Sequence, residues 1–142
     1  MQEKEIIYDG EQKPEISTAG IVYGDTIYWI TIVATIIVIV GSVLSFITKA
    51  NYIDPGYMLT SIWEGKTVEQ IWQGAVGSTP DGHWYMGHIA TGDGLTMFGI
   101  ALGVFSVIPA IFGAGVFLFK EKENLFAVLA VIAAFITIGA MF

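Results

Sequence analysis

The chain has 142 residues, 54% of them hydrophobic and 13% charged, with a formal net charge of −7. Soluble domains carry about a quarter charged residues, so this is the composition of a membrane protein, and the length is that of one domain. Every basic residue is lysine and cysteine is absent, which argues against nucleic-acid or bidentate phosphate recognition and excludes disulfides, thiolate metal sites and covalently attached haem.

Residues 1–25 read as an acidic extramembrane tail, with Glu3, Glu5, Asp9, Glu11, Glu15 and Asp25 against Lys4 and Lys13. The basic start and early apolar run of a signal peptide are missing, and the composition is that of a disordered segment. A first transmembrane helix is expected over 26–48. Tyr28 and Trp29 at its start suit the headgroup boundary, and Ile27 to Ile47 contains no charged side chain. A hydrocarbon core about 30 Å thick takes roughly 20 helical residues, so the run can span. Thr31, Ala34, Thr35, Val38, Gly41, Ser42 and Ser45 recur at spacings of three and four. Such a small-residue stripe lets helix backbones approach closely.

Residues 49–93 read as an extramembrane or interfacial connection. Asp54-Pro55 is a helix start, with an acid at the cap and proline at the first helical position. Met58, Leu59, Ile62 and Trp63 then fall on one face. Thr67-Val68-Glu69-Gln70 matches a capping box and leads Val68, Ile71, Trp72 and Ala75 along another apolar face. Both segments predict short amphipathic helices at the membrane surface or under a partner subunit. Gly77 to Gly82 is a turn-rich break.

Residues 94–142 predict a transmembrane hairpin, with helices over 95–119 and 125–142 joined by the charged turn Lys120-Glu121-Lys122-Glu123. Gly99 and Gly103 head a packing stripe in the first, and Ala130 and Ala134 one in the second. Pro109 should kink the first near the Phe105 carbonyl, and Asn124 can cap the second. None of the three apolar runs shows the alternation of a barrel strand. The expected fold is therefore an all-α integral membrane protein with three transmembrane helices, plus one or two short interfacial helices between the first and second. Four lysines flank one side and two the other, so the positive-inside rule predicts a multi-pass protein of the cytoplasmic membrane with its N-terminus inside.

Chemistry concentrates in Gly82 to Gly94, which holds both histidines, Trp84, Tyr85 and Asp93. On a helix, His83 and His88 would sit roughly 140° apart; in a loop they could approach. Four readings are open. One histidine could be an axial ligand of haem b, paired with a residue of a partner chain. His88 and Asp93 could hydrogen-bond a quinone headgroup. The histidines could hold a metal with Asp81 or Asp93. Or both could be interfacial polar residues bonded locally or to a partner. Trp84 and Tyr85 read as aromatics of the interfacial belt, and Asp93 reads as the cap of the helix that follows.

No nucleophile motif, phosphate loop or intramembrane carboxylate pair occurs, so catalysis by the chain alone is not expected. The function expected is that of a non-catalytic subunit of a larger membrane complex, preferably a respiratory or other electron-transfer assembly. It would anchor other membrane-protein subunits in the lipid bilayer and contribute His83, His88 or Asp93 to a haem or quinone site held by or shared with a partner. The alternative is a small transporter or channel component working as an oligomer. Against that stands the lack of any ionisable residue within the apolar runs.

Overall fold

The computed structural model describes residues 16–141, and these are all-helical, with no strand among them. The six α-helices are α1 (Thr18–Ile47), α2 (Pro55–Trp63), α3 (Val68–Val76), α4 (Gly92–Phe105), α5 (Val107–Lys120) and α6 (Asn124–Gly139). A single 3-10 turn, Trp84–His88, precedes α4. Most of the expected tail, residues 1–15, lies outside the described residues.

The first helix starts at Thr18, well before the expected residue 26. The Ser17 hydroxyl accepts the Gly20 N–H at 3.1 Å and caps the helix. The Thr18 N–H, which no helical carbonyl can satisfy, donates to Glu121 Oε1 at 2.9 Å. Hydropathy could not signal this extension, because Gly20, Gly24 and Asp25 are not apolar. At 1.5 Å per residue the 30 residues measure about 45 Å, more than the hydrocarbon core is thick.

Two helical stretches are long and apolar enough to cross a membrane: α1, and α4 continued by α5 over Gly92–Lys120. That second stretch is interrupted at Ser106. Pro109 has no N–H to give the Phe105 carbonyl, and the Ser106 hydroxyl donates to the Gly103 carbonyl at 2.6 Å. The apolar α6 has 16 residues, fewer than the roughly 20 of a full span. Asn124 is its first residue and makes no cap; Glu123 precedes it, also without a side-chain cap bond.

The helix α1 runs antiparallel to the α4–α5 stretch, its start at Glu121 and its end at Gly92. Small residues set the spacing. A Cβ at Gly99 would lie 2.8 Å from Val38 Cγ2 and 3.0 Å from the Ala34 carbonyl oxygen, so only glycine lets α1 and α4 approach this closely. Gly41 faces the backbone of Thr96 in the same way, whereas Gly103 leaves 3.7 Å to Ala34 Cβ. The helix α6 packs on α5, with Ala127 and Ala134 fully buried and Ala130 opposite Gly115. Phe112 and Phe135 meet edge to face across this contact at 6.0 Å.

The connection holds both expected short helices. Asp54 accepts the Tyr57 N–H at 2.8 Å with Pro55 at the first helical position, and Thr67 and Gln70 form the complete capping box. Ser61 and Ile71 are buried. The two apolar faces read from the sequence are split: Ile71 is buried and Met58 and Trp72 are half-buried, whereas Leu59, Ile62 and Val68 are exposed and Trp63 is 90% exposed.

Candidate functional site: an aromatic roof at one end of the helices

Where α1 ends, the chain is tied to the start of α4 by backbone and side chain together. Asn51 Oδ1 accepts the Ser45 hydroxyl at 2.9 Å, and Asn51 Nδ2 donates to the Ser45 carbonyl at 2.8 Å. The Gly92 N–H donates to the Ala50 carbonyl at 3.1 Å. A Cβ at Gly92 would run into the Ser45 backbone, so this glycine permits the contact.

Asp93 completes the tie and is not the helix cap. The cap is Thr91, whose hydroxyl accepts the Gly94 N–H at 3.2 Å and donates to the His88 carbonyl at 2.7 Å. Asp93 Oδ1 accepts the N–H of Tyr52 and that of Gly94, and Oδ2 accepts the N–H of Ile53, all at 2.9 Å. Both carboxylate oxygens are thus occupied by main chain. Charged acceptors make hydrogen bonds roughly twice as strong as neutral ones, and the first-turn position adds the favourable end of the helix dipole.

The clamp fixes Tyr52 beneath a cluster of rings. Its centroid lies 3.6 Å from that of His88 at 40° and 5.5 Å from that of Trp84 at 18°, a stacked pair. Trp72, from α3, meets Trp84 edge to face at 5.2 Å and Tyr52 at 6.2 Å. His88 Nδ1 is 2.9 Å from the Trp84 carbonyl oxygen. A carbonyl only accepts, so this bond requires the proton on Nδ1, and in the neutral imidazole Nε2 is then the acceptor. Trp84 belongs to the ring cluster and Tyr85 is buried.

Three recesses border this region. A cleft of about 230 Å³ is bordered by Asp93, Ser45, Thr96, Trp72 and Trp84. A polar recess of about 310 Å³ is bordered by His88, His83, Asp81, Tyr52 and Trp84. An apolar cavity of about 510 Å³ lies behind the 3-10 turn, with His83 and Tyr85 at its polar end. Asp93 borders the first of these recesses and His88 the second, and Trp72 and Trp84 line both. His83 and His88 do share the polar recess. Among the described residues no three metal-ligating side chains converge, so the metal reading finds no ligand set there. The His83 N–H donates to Asp81 Oδ1 at 3.0 Å.

Sequence reasoning missed Asn51, Tyr52 and Thr91, and gave Trp72 only a packing role. Thr91 carried a usable signal, being a hydroxyl residue directly before the Gly92-Asp93-Gly94 start. Tyr52 carried none, since its neighbours come from residues 20 or more positions away.

A protein-family model matches residues 19–142. A protein of Archaeoglobus fulgidus bearing the name "Uncharacterized protein" is 34% identical over 117 residues, covering 81% of this chain and 76% of its own length. No solved structure matches the chain.

Proposed function

The chain belongs to the family whose model spans residues 19–142, and from the site geometry we propose that it is a non-catalytic integral-membrane subunit of a larger electron-transfer assembly. The observation that carries the subunit reading is the outward apolar face of the connection, where Leu59, Ile62, Val68 and the 90% exposed Trp63 lie beside polar Ser61 and Ile71 turned inward. Large apolar side chains left exposed outside the spanning helices suit an interaction surface, and tryptophan is a residue type enriched among the dominant contacts of such surfaces.

In this reading the chain crosses the cytoplasmic membrane three times with its N-terminus inside. Ile138 and Met141, at the end of α6, border the same cavity as Phe98 of α4 and Tyr85. The far end of α6 thus returns to the level of the connection, which supports a third crossing by a helix of about 24 Å. Residues beyond α6 and a locally thinned bilayer make up the difference.

The electron-transfer role rests on His88. Its Nδ1 is held by the Trp84 carbonyl and its ring is packed on Tyr52, an arrangement that orients an imidazole to present Nε2. An accepting Nε2 suits the hydroxyl of a quinol or the iron of a haem. The recess of about 310 Å³ stands at the low end of ligand pockets, roughly 300–1,000 Å³, so a haem there is shared with a partner.

The test is purification of the native complex in mild detergent. Native mass spectrometry should find partner chains that are lost in Trp63→Glu, and a visible spectrum should show a Soret band or bound quinone that His88→Ala removes. A stable solitary chain with no cofactor would overturn the reading.

A further inference from the structure

We propose that the cavity of about 510 Å³ between the 3-10 turn, α4 and the end of α6 binds a single-chain amphipathic lipid whose uncharged, hydrogen-bonding head lies at His83 and Tyr85. The inference rests on the membrane placement above and not on any partner or on His88.

The wedge follows from the helix packing. The helix α4 packs along α1, and α6 packs along α5. The break at Ser106 separates the two pairs, leaving α6 without a comparable contact on α4. The walls are apolar, Phe98, Ala101, Leu102 and Phe105 from α4 facing Ile138 and Met141. From Phe98 to Phe105 the α4 wall runs about 10 Å along the helix axis, and Ile108 extends it beyond the break at Ser106.

Three features select the occupant. The recess is open on one side and mostly apolar, so water in it finds few polar partners, and leaving it empty forfeits contacts of its lining. A hydrocarbon chain from the bilayer fills it without either penalty. Polarity is confined to one end: His83 and Tyr85 come from the segment just before α4, at the interfacial end of the helix. No lysine borders the cavity to answer the charge of a phosphate. A neutral head that exchanges hydrogen bonds is what remains, the chemistry shared by a quinone and a fatty alcohol. Met86 and Met141 in the wall give an adaptable fit to chains of different shape.

The whole chain in nanodiscs should be titrated with decylubiquinone, with decanol and with phosphatidylglycerol, following tryptophan fluorescence and thermal shift. Saturable binding of either neutral probe, weakened about tenfold or more in Leu102→Trp and in Ala101→Phe, supports the site. Decylubiquinone binding tighter than decanol identifies the head as a quinone; the reverse identifies a simple alcohol. His83→Phe should weaken both while sparing the chain's share of the affinity. A diazirine-tailed decyl probe on the unmodified protein should crosslink to peptides of α4 and α6, which keeps the test decisive where a cavity-filling variant fails to fold. Absence of saturable binding, crosslinks confined to the lipid-facing side of α1, or preference for phosphatidylglycerol overturns the proposal. A protein that takes the probe yet purifies without partners leaves it intact while overturning the assembly reading.

Discussion

The Asp93 carboxylate holds the main chain of Tyr52, 41 positions away, through a 2.9 Å hydrogen bond, and takes Ile53 with its other oxygen. The roof of aromatic rings thus hangs from a residue on the first turn of α4. Removing the carboxylate leaves two N–H groups without acceptors in a half-buried place, at about 1–3 kcal/mol each in the worst case. Asp93→Ala should therefore lower thermal stability by roughly 2–4 kcal/mol and expose residues 48–54 to protease. Asp93→Asn, which keeps one acceptor and turns an NH2 toward the other N–H, should fall between. An Asp93→Ala protein with an unchanged melting curve and unchanged cleavage would refute the clamp.

Helix glycines should respond according to the space each has. A Cβ at Gly92 meets the Ser45 backbone and one at Gly94 meets the His88 carbonyl, neither of which can rotate away. Gly92→Ala and Gly94→Ala should each cost about 1–3 kcal/mol or more through forced separation. Gly103→Ala faces only Ala34 Cβ at 3.7 Å, and Gly139→Ala faces nothing within 4 Å. Both should be neutral or mildly stabilising, since alanine is the better helix former. Melting temperatures of the four variants in one detergent decide the matter, and equal losses across them would count against this packing.

Much of the architecture was legible because it depends on local chemistry. The capping box at Thr67 and the Asp54-Pro55 start need only residues within one turn, and both formed as the spacing implies. The start of α1 was missed by hydropathy because what extends it is tertiary: Glu121 accepts the Thr18 N–H, and Val22 packs at Gly113. Asp93 was misread for a related reason. An acid just before an apolar run resembles a cap, and nothing nearby reveals that its partners are Tyr52 and Ile53. The site suffered most from this limit. His88 stood out as a rare residue, but the Tyr52 ring that packs against it lies 36 positions away.

The connection offers two substitutions with opposite signs. Thr67→Ala removes the capping-box acceptor for the Gln70 N–H and should destabilise α3 by about 1 kcal/mol. Ser61 is buried with no hydrogen-bond partner for its hydroxyl among the described residues, so Ser61→Ala should be neutral or stabilising. Glu69 adds a pH dependence. Its own backbone N–H and the Thr67 hydroxyl hold its carboxyl below the usual range, so its contribution is present at neutral pH and is lost as pH falls through the lowered folded value. The protection factors of amides at the first turn of α3, corrected for the intrinsic exchange rate at each pH, should fall on acidification, and Thr67→Ala should flatten that response. A Thr67→Ala protein with unchanged exchange at neutral pH would contradict the cap.

The third crossing can be tested directly because the chain contains no cysteine. Single cysteines report sidedness through a membrane-impermeant maleimide. Ser17 and Glu123 lie at one end of the molecule, joined there by the Thr18–Glu121 hydrogen bond. Gln73 lies at the other end, on α3, and Ala140 follows the last turn of α6. If α6 spans, Ser17→Cys and Glu123→Cys should label from one face of the membrane, and Gln73→Cys and Ala140→Cys from the opposite face. With the N-terminus inside, the first pair should label only after the cells are opened. Labelling of Ala140→Cys together with Glu123→Cys would mean that α6 dips into the bilayer and returns. The end of α6 would then be drawn away from Phe98 and Tyr85, and the cavity behind the 3-10 turn would lose its wall.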